Sequence, residues 1–191
     1  SRRNSSMTEP EWGDWRSQRL RELPVGLSDW LLESGSLTRK VIQACGQSCF
    51  RVRLLHQGWG APLTSERRLL RSRPGVITLI REVELLCDEV PWVFARTLIP
   101  ATSLRRSVRR LALLGERPLG AVLFSDPKVH RGVTQFARLQ ARHPLFLAAC
   151  AHVAPTPETL WGRRTLFTFS ERPLLVNEIF LPGIPRRRSM R

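Results

Sequence analysis

The sequence has almost no lysine, no tyrosine and no long apolar run. Lys40 and Lys128 are the only lysines, so arginine supplies nearly all of a formal net charge of +15. No run of about 20 apolar residues is present, which excludes a membrane-spanning helix, and the first residues lack the apolar stretch of a secretion signal. Without tyrosine, and with Trp and Phe in core-like patterns, the chain lacks the exposed aromatic set of nucleic-acid binders.

The basic charge leaves two interpretations open. It favours an anionic partner, which could be nucleic acid, a membrane surface or an acidic metabolite. Alternatively, arginine replaces lysine throughout the chain as a compositional bias. We expect no nucleic-acid partner, and at most weak, salt-sensitive contact with a membrane surface through the arginine-rich end at 186–191.

The few cysteines and histidines lack the spacing of metal ligands. Cys45 and Cys49 form a C-x3-C pair, but no second pair matches it, and the histidines form no HExxH motif. Cys87 and Cys150 stand in apolar runs, where a thiol behaves as a small hydrophobe. We therefore expect reduced structural thiols in a cytoplasmic protein. No glycine-rich phosphate loop is present.

The length and periodicity predict a single α+β domain. A chain of 191 residues suffices for one hydrophobic core, and we expect a flexible segment at 1–14, the domain at 15–182 and a disordered basic tail at 183–191. Ser28 or Asp29 is predicted to cap a short helix. Predicted helices lie at 15–23, 28–32, 38–44, 102–114, 118–124, 127–142 and 143–153, predicted strands at 48–56, 76–87, 92–99, 164–170 and 174–181, and an irregular loop at 57–74. Strand pairs with helices between them predict a central antiparallel sheet.

Three charged residues interrupt apolar faces of the predicted strands. Side chains two apart share a face, and the interrupted rows are 77–85 with Arg81, 92–98 with Arg96 and 174–180 with Glu178. A buried charge without a partner costs several kcal/mol, so each residue needs one. If the first hairpin turns near residue 89, Arg81 faces a position close to Arg96 or Thr97, and two guanidiniums would share one apolar pocket.

Two arginines and a glutamate in an apolar cavity would suit a small ring-shaped dicarboxylate, because arginine binds planar carboxylates through paired hydrogen bonds. Two other interpretations stay open. The charges could form a buried ion pair that only organises the core, or the rows could face solvent. A register slip of one residue would exchange the faces.

From about residue 20 to 182 the sequence resembles the chorismate pyruvate-lyases. A short block such as PLG at 118–120 is a weak match, whereas WGRR at 161–164 followed by PLLVNEIFLP at 173–182 is a strong one. The remaining blocks, in family order, are DWLL at 29–32 with SLTRK at 36–40, REVELLC at 81–87, PW at 91–92, ARTLIP at 95–100 and LF at 123–124. The resemblance implies a central antiparallel sheet with helices packed around it.

The resemblance also assigns roles to single positions. Arg81 matches the arginine that holds the ring carboxylate, and Glu178 matches the glutamate at the ring oxygen that becomes the phenol. Leu37 and Leu119 match positions whose backbone amides complete the carboxylate site, although Leu37 replaces a methionine. Arg96 also matches a family arginine, and we expect it at the enolpyruvyl carboxylate. Arg81 and Glu178 are the predicted catalytic residues, and all five are predicted to bind substrate or product.

The implied activity is cleavage of chorismate to 4-hydroxybenzoate and pyruvate, by a monomeric bacterial enzyme that supplies the ring precursor of ubiquinone. Because the ring becomes aromatic, the reaction is strongly downhill, and we expect no cofactor and no metal. The alternative is a non-catalytic sensor domain of the same fold that binds a small acid. In such regulators a DNA-binding domain would precede it, and we expect the roughly 20 residues ahead of the matching region to be too few for one.

Overall fold

The computed structural model describes residues 8–14, 22–104 and 113–187. These residues contain a six-stranded antiparallel sheet in the order β1-β2-β3-β6-β5-β4. The strands are β1 (Phe50–Gly60), β2 (Thr78–Cys87), β3 (Val90–Pro100), β4 (Val129–Leu139), β5 (Leu160–Phe169) and β6 (Arg172–Phe180). The helices are α1 (Ser28–Leu31), α2 (Leu37–Cys45), α3 (Thr64–Leu70), α4 (Leu119–Ser125) and α5 (Pro144–Ala149), with a 3-10 turn at Ala101–Ser103. The predicted α+β class is confirmed.

Two tight turns set the strand pairing. Asp88 and Glu89 join β2 to β3, and Ser170 and Glu171 join β5 to β6. All four residues have positive φ, which is the geometry of two-residue turns whose twist suits antiparallel strands. Both predicted hairpins are therefore confirmed.

The register decides which charged residues share a face. Arg81 lies opposite Thr97, and Glu178 lies opposite both Ala95 of β3 and Arg163 of β5. These side chains occupy one side of the sheet, which we call the front face. The opposite side is the back face.

Helices α2 and α4 cover the front face. The hydroxyl of Ser36 accepts a hydrogen bond from the N–H of Arg39 at 3.2 Å and caps α2, and Gly46, with a φ of +100°, ends it. Buried side chains of α2 join a cluster with β1 and β2 (Leu37, Val41, Val52, Val83 and Leu85). A second front cluster contains Leu123 of α4 with β5 and β6 (Phe167, Leu174 and Val176).

Helices α3 and α5 cover the back face. Leu70 of α3 belongs to a buried cluster with Ile80, Leu98 and Leu175. Residues of α5 form another cluster with β3 and β6 (Leu145, Phe146, Phe94 and Ile179). The sheet is thus buried on both sides, and only the front side encloses the cavity described below.

The predicted helix at 127–142 is wrong, because these residues form strand β4. The pairing of β4 with β5 shifts between Arg131 and Thr134, which marks a β-bulge. A bulge adds a residue to one strand and breaks its two-residue alternation. Val129 and Phe136 therefore recur at a spacing that imitates the helical period.

Several local predictions also need correction. The predicted loop at 57–74 contains the end of β1 and helix α3. Leu27, not Ser28 or Asp29, is the cap residue of α1, and the Ser28 hydroxyl donates to the carbonyl of Val25 at 3.2 Å. Most of the helices predicted at 15–23 and 102–114 lies outside the described residues.

The described terminal residues pack against the domain. Glu9 accepts hydrogen bonds from the N–H and hydroxyl of Ser65, and Gly13 pairs with Phe136 of β4. At the other end Ile184 is buried. Residues 8–14 and 183–187 thus contact the domain, residues 1–7 and 188–191 lie outside the described residues, and the expected flexibility of the two ends stays a prediction.

The cysteines differ from the expectation of four reduced thiols. Cys45 at the end of α2 and Cys87 at the end of β2 form a disulfide with a Cα–Cα distance of 5.7 Å. Cys49 and Cys150 are free thiols. Among the helices that the structure describes, none combines the length and the apolar character that crossing a membrane requires.

Candidate active site

A cavity lies between the front face of the sheet and the first turns of α2 and α4. The atom-free space of the cavity, together with open solvent at its mouth, amounts to about 610 Å³. Most of its wall is apolar, which is typical of sites for small ligands. Its lining consists of Gly35, Leu37, Thr38, Val52, Arg81, Val83, Leu85, Ala95, Thr97, Pro118, Leu119, Gly120, Leu123, Arg131, Arg163, Phe167, Val176 and Glu178.

Arg81 lies in the cavity wall with only 2% of its surface exposed. Its guanidinium donates to the side-chain carbonyl of Gln57 at 3.1 Å and to the backbone carbonyl of Arg117 at 3.0 Å. Both acceptors are neutral, and burial lowers the pKa of Arg81. An anion bound here would offset the loss of hydration, and a carboxylate matches the planar guanidinium.

Glu178 forms an ion pair with Arg163 inside the cavity. Arg163 Nε donates to Glu178 Oε1 at 2.9 Å. Another nitrogen of this guanidinium donates to the carbonyl of Leu31 at 3.1 Å and to that of Glu33. The Arg163 side chain is 2% exposed and that of Glu178 14%. The arginine is therefore fixed by backbone carbonyls at the end of α1 and just after it, and it holds the carboxylate in one place.

Arg131 of β4 is a third guanidinium in the cavity wall. It donates to the carbonyl of Gly35 at 3.2 Å, and its guanidinium carbon lies 5.2 Å from the centre of the Phe167 ring. Burial, followed by the charge of Arg163, lowers the pKa of Arg131, against the opposing charges of Glu178 and Glu33.

Leu37 and Leu119 are the first residues of α2 and α4, and both line the cavity. The first N–H groups of a helix have no partner within the helix, so two sets of backbone donors lie near the cavity. Gly120 allows the two helix starts to approach each other, because a Cβ there would lie 3.0 Å from the Thr38 hydroxyl and 3.2 Å from that of Ser36.

The charges of the cavity wall do not cancel. Arg81, Arg131 and Arg163 face a single carboxylate, that of Glu178. The lining therefore carries a formal surplus of two positive charges in an apolar surrounding, where electrostatic interactions are stronger than in water. Such a cavity favours a small dianion.

The structure brings four of the five predicted site residues together, namely Leu37, Arg81, Leu119 and Glu178. Arg96 lies elsewhere, because it pairs with Glu82 and so faces the back of the sheet. There it donates to both carboxylate oxygens of Glu66 of α3 at 3.0 Å. The expectation that Arg81 and Arg96 share one pocket is wrong.

Arg163 and Arg131 are the cavity arginines that the sequence interpretation missed. The predicted strand began at residue 164, one position too late to include Arg163, although the WGRR block contains it. Arg131 fell in the predicted helix at 127–142, so its face was never sorted by strand alternation. Correct strand limits would have placed both beside Glu178 and Phe167.

The described residues offer no obvious metal centre, since no three of their His, Cys, Asp or Glu side chains lie close enough to hold an ion. The polar groups that line the cavity are guanidinium, carboxylate, hydroxyl and backbone groups.

Solved structures share this fold at low sequence identity. The effector domain of PhnF from Mycobacterium smegmatis matches with a TM-score of 0.54 and 17% identity, over 84% of this chain and 97% of that one. The ligand-binding domain of a putative GntR-family transcriptional regulator from Bordetella bronchiseptica matches with a TM-score of 0.52 and 16% identity, over 74% and 89%. At these identities the likeness concerns the fold alone.

Sequence comparison gives a closer relationship. A protein from Methylococcus capsulatus named "Probable chorismate pyruvate-lyase" is 42% identical over 160 residues, or 83% of this chain and 96% of the relative. Proteins of the same name from Nitrosomonas europaea and Azoarcus sp. BH72 are 39% and 42% identical over 85% and 93% of this chain, and over 90% and 96% of their own lengths. The family model described as "Chorismate lyase" matches residues 10–189. The chain belongs to the chorismate lyase family.

Proposed function

We propose that this protein is a chorismate pyruvate-lyase that converts chorismate into 4-hydroxybenzoate and pyruvate. The observation that carries the proposal is the cavity in which three arginines face one glutamate. Chorismate is a dianion with a six-membered ring, so it fits both the charge surplus and the apolar wall. The names of the family relatives support the same substrate.

The reaction needs little from the protein beyond binding and orientation. The bond between a ring carbon and the enolpyruvyl oxygen breaks, and the neighbouring hydroxyl-bearing carbon loses its hydrogen as a proton. The enolpyruvyl fragment gains a proton at its methylene carbon and becomes pyruvate, so the atoms balance. Because the ring becomes aromatic, the products lie downhill, and positioning with charge placement suffices.

Arg81 is the proposed partner of the ring carboxylate. Its two neutral hydrogen-bond partners fix the guanidinium in the cavity wall, and the backbone amides at Leu37 and Leu119 complete the carboxylate site. The apolar wall between these groups, which includes Val83 and Ala95, faces the ring.

Glu178 is the proposed partner of the ring hydroxyl. Arg163 holds its carboxylate at 2.9 Å, so the oxygen that the arginine leaves uncovered can orient the hydroxyl. Two routes for the ring proton satisfy the balance: transfer through Glu178, or direct transfer within the substrate. Each route needs Glu178 in place.

The enzyme would supply the ring precursor of ubiquinone, and the expected cytoplasmic location belongs to this proposal. Expression of the chain should restore growth that depends on respiration in a bacterial strain lacking its own chorismate lyase. Added 4-hydroxybenzoate should restore the same growth without the chain.

The direct test mixes the full chain with chorismate and no additive. We expect 4-hydroxybenzoate to appear in the ultraviolet spectrum, with an equal amount of pyruvate detected through lactate dehydrogenase. Absence of both products from folded protein would overturn the proposal. Tight chorismate binding without turnover would instead indicate a sensor that shares the fold.

A further inference from the structure

The cavity has arginines on two widely separated strands of the sheet face that lines it. Arg81 lies on β2 and Arg131 on β4, with β3, β6 and β5 between them. Neighbouring strands are about 4.8 Å apart, so these two backbone positions are separated by roughly 19 Å before the side chains reach inward. Glu178 and Arg163 pair with each other on two of the strands between them, β6 and β5. The two outer guanidiniums therefore approach a ligand from opposite sides.

The three cavity arginines differ in their partners. Arg163 is bound by the Glu178 carboxylate and by two backbone carbonyls. It already has an anionic partner within the protein. The acceptors described for Arg81 are neutral groups. Arg131 donates to the carbonyl of Gly35 and also lies within the electrostatic range of the Glu178 and Glu33 carboxylates.

The local backbone directs Arg131 into the cavity. The bulge that shifts the pairing of β4 lies directly after Arg131, and bulges commonly redirect a side chain beside a binding site. Gly132 permits this path, since a Cβ there would lie 2.9 Å from the carbonyl oxygen of Leu166. The Phe167 ring, 5.2 Å from the guanidinium carbon, supports the cation from its own strand.

We infer that Arg131 forms a second carboxylate subsite, which binds the enolpyruvyl carboxylate of the substrate and then the carboxylate of pyruvate. The inference rests on the proposed function, in which Arg81 holds the ring carboxylate. Lowering of the Arg131 pKa by burial and by the charge of Arg163 agrees with a site that gains from an incoming anion. The role that the sequence assigned to Arg96 thus belongs to a residue on another strand.

The position of Arg131 also suits the departure of the smaller product. Arg131 and Arg163 line a neighbouring cleft together with Glu33, Ser34 and Val133. The carboxylate of the three-carbon acid would therefore lie where the cavity and the cleft meet. The ring would stay at the Arg81 end.

The test exploits the fact that chorismate and pyruvate carry the second carboxylate and 4-hydroxybenzoate lacks it. In Arg131→Gln we expect kcat/KM for chorismate to fall, and the inhibition constant of pyruvate to rise, each roughly 10- to 100-fold. The inhibition constant of 4-hydroxybenzoate should change less than about threefold. Arg131→Lys keeps the charge without the planar fork and should recover part of the loss.

Two further variants serve as comparisons for Arg131→Gln. Arg81→Gln should weaken 4-hydroxybenzoate and chorismate alike. Arg138→Gln removes an exposed arginine of the same strand and should leave all three constants unchanged. Equal weakening of 4-hydroxybenzoate and chorismate in Arg131→Gln, or no weakening of either, would overturn the subsite.

The subsite can be judged apart from the proposed activity. If the wild-type chain leaves chorismate unchanged, the proposed function fails alone. Calorimetric titration of pyruvate into the complex with 4-hydroxybenzoate then tests the subsite. Binding that Arg131→Gln abolishes would support it, and binding that this variant retains would contradict it.

Discussion

At the scale of single residues, replacing Arg81 should weaken substrate binding without lowering the stability of the fold. Its buried guanidinium has neutral partners and a pKa that burial lowers. We expect Arg81→Met to lower kcat/KM for chorismate by about two to three orders of magnitude, because the ring carboxylate loses a charge-assisted partner. The same variant should unfold at an equal or higher urea concentration, because an apolar side chain replaces a poorly compensated buried charge.

Steady-state kinetics and urea unfolding measured on the same preparation check both halves of this prediction. Arg51→Met removes an arginine from an exposed ion pair with Glu89 and should alter neither quantity noticeably. A large loss of stability in Arg81→Met would contradict the view that this charge is kept for the ligand.

The Arg163–Glu178 pair should show strong coupling. Arg163→Met leaves the Glu178 carboxylate in the cavity without its partner, and Glu178→Leu leaves the almost fully buried Arg163 without its counter-ion. Each single change should lower the free energy of unfolding by about 3–5 kcal/mol. The double variant should recover most of that loss and stay inactive.

Urea unfolding curves of the wild type, the two single variants and the double variant give four free energies of unfolding. The coupling energy is the difference between the loss in the double variant and the sum of the two single losses. Additive losses would mean that the two groups do not depend on each other, and residual activity in the double variant would remove Glu178 from the mechanism.

Strand alternation alone predicted two of the charges that line the cavity. Arg81 and Glu178 stand in otherwise apolar rows, and the structure places both in the cavity wall. Arg96 stands in a similar row, but its row forms the back face, where Glu66 supplies the partner. The pattern shows that a charge is buried, whereas the partner depends on register and on a helix that the sequence did not predict. The family resemblance added the backbone positions Leu37 and Leu119.

At the scale of secondary-structure elements, the disulfide connects two elements of the site. Cys45 ends α2, whose first residue lines the cavity, and Cys87 ends β2, which carries Arg81. The bond closes a loop with a sequence separation of 42. Reduction should lower the free energy of unfolding by about 2–4 kcal/mol through the larger entropy of the unfolded chain.

Thermal melts with and without a phosphine reductant measure this effect. Cys45→Ser should melt at the lower temperature in both conditions, and Cys150→Ser should respond to the reductant as the wild type does. A wild-type melt that ignores the reductant, in protein whose thiols are confirmed as free afterwards, would contradict the expected contribution.

His143, the cap residue of α5, should make stability depend on pH. Its Nδ1 accepts the N–H of Gln140 at 2.9 Å, so the folded state binds the neutral ring. Burial, followed by the charge of Arg142, lowers the pKa of His143 below 6.5. The unfolded chain therefore takes up a proton more readily, and this stabilisation, present above pH 6.5, is lost as the pH falls below it.

Urea unfolding at pH 7.5 and 5.5 tests the sign of this dependence. His143→Asn replaces the ring-nitrogen acceptor by an amide oxygen, which does not titrate, so this variant should lose less stability at pH 5.5 than the wild type does. His130→Asn, at an exposed position of β4, serves as the control and should behave like the wild type. If the free energy of unfolding changes by the same amount between pH 7.5 and 5.5 in all three proteins, His143 is not the cause of the pH dependence.

Element prediction failed where tertiary structure overrides local pattern. The bulge in β4 gave a strand the spacing of a helix, and α3 is a short helix in a segment rich in Gly, Pro and Arg. Buried Glu66 of α3 accepts the N–H of Leu63 at 2.9 Å and binds Arg96. The contacts that stabilise α3 thus include a strand distant in sequence, and no local window contains that information.

At the scale of the whole molecule, the front face of the sheet lines the cavity, and the back face carries a network of buried polar side chains. On the back face Glu66 joins Arg96 to Asn177, which donates to its carboxylate at 3.2 Å. These residues lie directly beside Ala95 and Glu178 along β3 and β6, whose side chains face the cavity. The back network therefore fixes the strands whose front residues form the site. The overall α+β architecture could be predicted because it follows from strand pairs separated by helices.

The net charge of +15 should attract a dianionic substrate over long distances and so lower its KM. Ionic screening shortens the range from about 30 Å at 0.01 M salt to about 10 Å at 0.1 M. We therefore expect KM for chorismate to rise several-fold between 10 and 300 mM sodium chloride, while kcat changes less than about twofold. The cavity charges are largely buried and screened less, so the bound state should react at the same rate. Sucrose, added to the viscosity of the 300 mM salt solution, should leave KM unchanged. A fall in kcat at constant KM would contradict the prediction and show that salt acts on the folded structure.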